Sequence, residues 1–292
     1  MRHLLDFQDV DKRHLEKLIE VTKTSEAKSE NLDSLAILKF DEPSTRTRLS
    51  FAIAAEKLGI KTFESSDSIS ANQKGEMLKH EIETYVSMGI EILVLRTKEN
   101  NIDDYRVLED VGVISGGFGD ISHPTQALID RSTLDSFDTL KGTSVPITYI
   151  GDVKHSRVFE SGRQLLSLLG YKVGVFTNQN LLPEDKSNVE IYESWDEVFE
   201  NTNAIELLRV QKERIQENEK IDFEDYIKNY QLTNKVLKKS QDDLIVLHPM
   251  PINVGIEISE DAIKDRKIKY LNQLSYAIPS RIAAFKYVKG EL

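Results

Sequence analysis

The sequence predicts an α/β protein of two doubly wound parallel-sheet domains, and three observations carry that expectation. Apolar runs of strand length alternate with stretches of helical period along most of the 292 residues, a rhythm that builds a mostly parallel sheet covered on both faces. The rhythm pauses at Lys141-Gly142-Thr143-Ser144 and restarts at Pro146-Ile147-Thr148-Tyr149-Ile150-Gly151. The residues best suited to chemistry fall where strands end, which is where open parallel sheets hold ligands. The expected domains are 1–140 and 141–278, with a last helix within 279–292 packing back on the first.

Asp11 caps a first helix whose apolar positions are Leu15, Leu18 and Ile19, with Thr22 beside them. Leu35-Ala36-Ile37-Leu38 is the first strand, and Pro43 ends it in a turn. Leu49, Ala52 and Ile53 then recur at helical spacing, with Gly59 as the stop. Residues 61–64 give a second strand, and 65–75 a polar loop too long and hydrophilic for a mere connector. A helix over 76–88 leads to Ile90-Glu91-Ile92-Leu93-Val94-Leu95, a strand ending at Arg96. The next strand, 111–115, runs into a glycine-rich turn (Gly116, Gly117, Gly119). A helix opened by Pro124 then extends to Phe137. In the second half, a helix over 156–169 precedes strands at 172–176 and 204–208. The stretch 222–240 is acidic, then basic, and reads as two solvated helices. Strand 244–247 and an amphipathic helix over 279–288 complete the chain.

Composition narrows the function. A formal net charge of −11 argues against nucleic acid or an anionic membrane as the main partner. A small anionic substrate must then be drawn in by a local cationic pocket. There are no cysteines, which excludes disulfides, thiol chemistry and Cys-ligated zinc. The histidines at 3, 14, 80, 123, 155 and 248 lack HxxxH or HExxH spacing, so no metal site is expected. Met1-Arg2-His3-Leu4-Leu5-Asp6 meets acid at once, and no apolar run approaches the ~18 residues of a membrane span. A cytoplasmic protein is expected.

The chemistry gathers around Pro43-Ser44-Thr45-Arg46-Thr47-Arg48. Strand hands over to helix there, so free backbone N–H groups and the helix dipole favour an anion. Alternating hydroxyls and guanidiniums add charge-assisted donors in the geometry that phosphate oxygens accept. Arg96 and Arg209 each follow a strand, and His123 precedes a helix. The turn Gly151-Asp152-Val153-Lys154-His155-Ser156-Arg157 lacks the second glycine of a dinucleotide fingerprint and suits a carboxylate or phosphate better. No Gly-x-Ser-x-Gly elbow is present. Several anion binders, one placed histidine and no nucleophile point to transfer between two bound anions by positioning and electrostatics.

On these motifs the chain resembles the aspartate/ornithine carbamoyltransferase family along nearly its whole length. Pro43 to Arg48 is similar to the family's phosphate loop, and His123-Pro124-Thr125-Gln126 to its carbonyl segment. Arg209-Val210-Gln211-Lys212-Glu213-Arg214 and His248-Pro249-Met250-Pro251 resemble the aspartate branch; the ornithine branch normally carries Cys in a His-Cys-Leu-Pro segment. The resemblance implies a pyrimidine-pathway transferase for carbamoyl phosphate and L-aspartate, needing no cofactor, with its active site in the cleft between the domains. By that analogy Ser44, Thr45, Arg46 and Thr47 hold the phosphate. Arg96, Thr47 and His123 surround the carbamoyl oxygen. Gln126 and the carbonyls of Met250 and Pro251 orient the carbamoyl amine, and Arg157, Arg209 and Gln211 hold the aspartate carboxylates. Ser70 and Lys74 match residues the family donates to a neighbouring subunit's site, which implies a homotrimer with shared active sites. A regulatory chain or another pyrimidine enzyme stays open as a further partner.

Three departures lie beside this set. His80-Glu81 stands where the family usually has Asp-Thr, Thr97 where many relatives carry His, and Val254 where a common version has Arg. They bear on loop geometry and affinity. Two alternatives accompany the main reading: a carbamoyltransferase for a different amine, and an inactive scaffolding relative. Closure over two acidic substrates is expected to pair Glu42 with Arg214, and with Arg157.

Overall fold

The computed structural model describes residues 1–8, 10–24, 31–65, 78–211 and 222–292. The chain divides into two compact units, Met1–Ile129 with Ser275–Leu292, and Asp130–Leu274.

The first unit contains α1 (Lys12–Lys23), β1 (Ser34–Phe40), α2 (Thr45–Lys57), β2 (Ile60–Ser65), α3 (Leu78–Ser87), β3 (Ile92–Thr97), α4 (Ile102–Arg106) and β4 (Gly112–Phe118). Helix α5 (Pro124–Ser136) starts in it and crosses into the second unit. The strands pair in parallel in the order β2-β1-β3-β4. Asp11 caps α1 by accepting from the His14 N–H, and Leu15, Leu18, Ile19 and Thr22 are buried. Ile37, Leu93, Leu95, Val113 and Phe118 form one core with Ile82 of α3.

Two expectations are corrected here. Helix α2 buries Phe51, Ala54 and Ala55 rather than Leu49, Ala52 and Ile53, and Leu49 is 57% exposed. Small alanines let a neighbour approach closely, and the Phe51 ring meets Phe285 edge-on at 5.7 Å. Gly116 and Gly117 belong to β4 instead of a turn after it. The register slips by one residue there, from Leu95↔Ser115 to Arg96↔Gly117, a bulge that Gly117 accommodates at φ 131°.

The partner of Phe51 lies on the last helix, α11, described after the second unit. That unit contains β5 (Ile147–Gly151), α6 (Arg157–Leu168), β6 (Val173–Phe176), β7 (Val189–Ile191), α7 (Trp195–Asn201) and β8 (Ala204–Leu208). It continues with α8 (Phe223–Tyr230), α9 (Asn234–Leu237), β9 (Ile245–Leu247) and α10 (Tyr270–Ser275), whose last residue begins the return to the first unit. Its parallel sheet runs β7-β6-β5-β8-β9. Consecutive residues of one strand serve opposite cores. Tyr149 packs with Phe159 and Leu166, whereas Ile150 packs with Phe176, Val198 and Leu237. A parallel sheet covered on both faces gives that pattern. Helices α8 and α9 are less solvated than expected, since Tyr226 and Leu237 are fully buried.

Helix α11 (Ala277–Lys289) is not amphipathic: nearly every residue from Ala277 to Val288 is buried. It packs on α1, α2 and β4 of its own unit, and Lys289 bonds Glu91 at 2.8 Å beside β3. Arg281, buried within it, donates to the Thr125 carbonyl and the Ser280 hydroxyl. No helix among the described residues is long and apolar enough to cross a membrane.

Candidate active site

In the first unit, register brings three segments to the carboxyl end of the sheet. Phe40 lies opposite Arg96, and Arg96 opposite Gly117. The loops that follow β1 and β4 therefore leave from the same edge and lead to 44–48 and to His123. Ser44 occupies the N-cap position of α2 with extended backbone, yet its hydroxyl makes no capping bond. Among the described residues, no hydrogen bond or ion pair engages the Ser44, Thr45 and Thr47 hydroxyls or the Arg46 guanidinium. A helix start with unsatisfied N–H groups, three spare hydroxyls and an exposed cation is chemically incomplete until an anion arrives. Arg48 differs, because it pairs with Glu64 at 3.1 Å on the surface.

Arg96 is held from two sides. Its Nη1 donates to the Gly116 carbonyl at 3.1 Å, and its Nε lies 3.4 Å from Glu42 Oε2. The bulge in β4 supplies that carbonyl. Glu42 pairs with Arg96 inside its own unit; Arg214, its expected partner on closure, lies outside the described residues. His123 and Gln126 are buried, the His123 carbonyl receives the Gln126 N–H at 2.9 Å, and Thr125 Oγ1 lies 3.5 Å from His123 Nδ1. Ser70 and Lys74 also lie outside the described residues.

Behind this edge is a pair that the motifs did not reveal. Lys39 Nζ meets both oxygens of Glu81, at 2.9 and 2.8 Å, and the Tyr85 hydroxyl donates to Glu81 Oε1 at 2.7 Å. Both charged side chains are buried. Glu81, a departure from the family pattern, is thus answered by Lys39, a cation in an otherwise apolar strand. The signal was Lys39 itself.

In the second unit, Gly151 lies opposite Leu208, so the turns after β5 and β8 share an edge. A Cβ on Gly151 would meet the Leu208 carbonyl at 2.2 Å; only glycine permits that approach. Ser156 caps α6 by accepting from the Phe159 N–H, and Arg157 is its first residue. Arg209 follows β8 directly and is half-buried. Gln211 is committed internally: its side-chain amide donates to the His155 carbonyl at 2.6 Å and its N–H to Asp152 at 3.0 Å. The second N–H of that side-chain amide is the donor left for a carboxylate ligand. Asp152, fully buried, also bonds the His155 imidazole at 2.8 Å. Met250 sits at φ 63° before a cis bond to Pro251.

Beneath that turn lie two buried carboxyls. Gln273 Nε2 donates to Asp130 Oδ1 at 2.7 Å and to Glu206 Oε1 at 3.0 Å. Burial and the nearby Asp130 charge hold the Glu206 carboxyl well above its ordinary 4.5, and Tyr149 of β5 is raised by burial and then by both carboxyls. Native Glu206 keeps a proton that the unfolded chain releases as pH rises past 4.5. Native stability therefore falls with rising pH until native Glu206 ionises too. Glu206→Gln removes that slope. Thermal melts of the two proteins should diverge between pH 5 and 7, the variant gaining with pH; parallel curves would contradict this.

Known families share this arrangement. The model described as "Aspartate/ornithine carbamoyltransferase, carbamoyl-P binding domain" matches residues 2–136. The model described as "Aspartate/ornithine carbamoyltransferase, Asp/Orn binding domain" matches residues 143–288. The chain belongs to the aspartate/ornithine carbamoyltransferase family. It is 33% identical to the aspartate carbamoyltransferase catalytic subunit of Aquifex aeolicus, over 99% of each chain. It is 34% identical to that of Thermus thermophilus, over 99% of this chain and 98% of the other. The solved catalytic subunit of M. jannaschii aspartate transcarbamoylase is 28% identical, with a TM-score of 0.80 over 100% of this chain and 99% of that one. Within this family of carbamoyltransferases, the two matched segments follow the two sheets described above.

Proposed function

We propose that the chain transfers the carbamoyl group of carbamoyl phosphate to the amine of L-aspartate, giving N-carbamoyl-L-aspartate and phosphate. The observation that carries this reading is the uncapped start of α2, where the Ser44, Thr45 and Thr47 hydroxyls and Arg46 have no partner among the described residues. Such a cradle fits a phosphoryl dianion. Arg157 and Arg209 at the edge of the second sheet favour a dicarboxylate over ornithine, and the named relatives at 33% and 34% identity support the same choice.

On this reading residues 1–140 with 279–292 bind carbamoyl phosphate, and 141–278 bind aspartate. The aspartate amine attacks the carbonyl carbon, and a C–N bond forms. Negative charge builds on the carbonyl oxygen, where Arg96, Thr47 and His123 stabilise it. Gln126 and the Met250 and Pro251 carbonyls keep the carbamoyl amine oriented. The C–O bond to phosphate then breaks, and the amine's proton leaves with the phosphate. Ser70 and Lys74 of a neighbouring copy complete each site, so the working form is a cytoplasmic homotrimer. Glu42 tempers Arg96, which keeps its guanidinium aimed while the site is empty.

Phosphate release in an acceptor panel tests the reading. Release that depends on L-aspartate supports it. Release with ornithine or another amine instead makes the chain a different carbamoyltransferase, and none with any acceptor makes it an inactive relative.

A further inference from the structure

We propose that Gln273 is a positioning residue for this transfer, setting from inside the second unit the backbone of the turn 248–251. The proposal rests on the functional reading above, in which that turn presents the Met250 and Pro251 carbonyls to the carbamoyl amine.

The side-chain amide of Gln273 is almost fully buried and has a single workable orientation. Its NH2 group faces Asp130 of α5 and Glu206 of β8, at 2.7 and 3.0 Å. A backbone N–H can only donate, so the amide carbonyl must face the His248 N–H and the NH2 group the two carboxyls. The carbonyl accepts that N–H at 3.0 Å, from the first residue after β9. Two buried carboxyls thus lock the amide, and the amide locks His248.

The imidazole carries the constraint onward. His248 Nδ1 accepts the Met250 N–H at 2.8 Å, so the ring's proton sits on Nε2, which faces Glu257 Oε1 at 3.2 Å. The same Glu257 oxygen accepts the Asn253 N–H at 2.6 Å, and Glu257 is itself buried. Met250 needs this support. It holds φ 63° without being glycine, a region L-residues occupy only when their surroundings impose it. The imposing contact is the bond from its N–H to His248. The two backbone N–H groups of 248–251 are both spoken for, since Pro249 and Pro251 have none. The Leu247–His248 and Pro249–Met250 peptide planes are therefore held by a chain that starts at Gln273, and the Met250 and Pro251 carbonyls follow from them along the backbone. None of these bonds touches substrate, so Gln273 acts through the turn and is not a catalytic residue.

Gln273→Met keeps the length and loses both halves of the amide. Two measurements on the full-length variant should move together. The kcat at saturating carbamoyl phosphate and L-aspartate should fall at least tenfold, while the Kd for inorganic phosphate, assigned to the first unit, stays within twofold. Amide hydrogen exchange at His248 and Met250 should accelerate at least tenfold, with the amides of α11 unchanged. A role confined to stability would lower the melting temperature and leave kcat of the folded enzyme alone. Wild-type kcat, or wild-type exchange at Met250, overturns the proposal. Should Gln273→Met fail to fold, Gln273→Asn, which keeps the amide but cannot span both partners, is read by the same two criteria. If wild type carries no carbamoyl group to aspartate, the functional reading fails by itself, and the exchange result still decides whether Gln273 sets the turn.

Discussion

Arg46→Ala should lower kcat/KM with carbamoyl phosphate by tenfold to a hundredfold or more and leave the fold unchanged. Both halves follow from one observation: the guanidinium is solvent-exposed and engages no partner among the described residues. Nothing in the folded chain loses a bond when it is removed, so stability should move by no more than about 0.5 kcal/mol, as at other surface positions. A bound phosphate, by contrast, loses a charge-assisted contact worth roughly 1.5–3 kcal/mol. Steady-state kinetics and a thermal melt on one preparation check both. Near-normal kinetics would remove Arg46 from the site.

Glu81→Ala should destabilise the first unit by about 3–5 kcal/mol, because it removes the carboxylate that meets the buried Lys39 ammonium with both oxygens. The two side chains are only 3% and 5% exposed, so water cannot replace the lost partner. Lys39→Met/Glu81→Leu should recover most of that loss, since it replaces a buried charge that has lost its carboxylate by an apolar contact. Denaturant melts of the single and double variants check this. Equal loss in both would mean that packing, and not charge, is what the pair supplies. Because Lys39 lies in the strand that feeds the loop to Ser44, the single variant should also lower activity, and the double variant should restore it.

These expectations also mark how far the sequence could be read. Every strand of the two sheets but β7 was legible, most of them because buried parallel strands are continuous apolar runs. The strand-to-helix handover at 44–48 was legible because its polar residues are consecutive. Contacts between distant residues were not. Lys39 and Glu81 are separated by 42 residues, and no local pattern joins them. Glu206 sits among Ala204, Ile205, Leu207 and Leu208, so its charge in mid-strand was visible, but Asp130 and Gln273 beside it were not. Helix α11 was expected to be amphipathic, and its polar residues include Ser280 and Arg281. Both are buried, Ser280 bonding within its helix and Arg281 reaching the Thr125 carbonyl. Strand β7, only three residues long and at the sheet edge, offers too little periodicity to find. Gln211 was expected at a ligand carboxylate by resemblance alone, and local spacing could not show that its amide serves His155.

The most direct test of the central claim follows the carbamoyl group itself. The protein is incubated with 13C-labelled carbamoyl phosphate and 15N-labelled L-aspartate, with an enzyme-free control for spontaneous carbamoylation, and the product is observed by NMR. The account predicts a carbamoyl carbon split by one-bond coupling to the aspartate nitrogen, appearing with equimolar phosphate and only with enzyme. A product no greater than the control, or coupling that appears with labelled ornithine and not with aspartate, would contradict it.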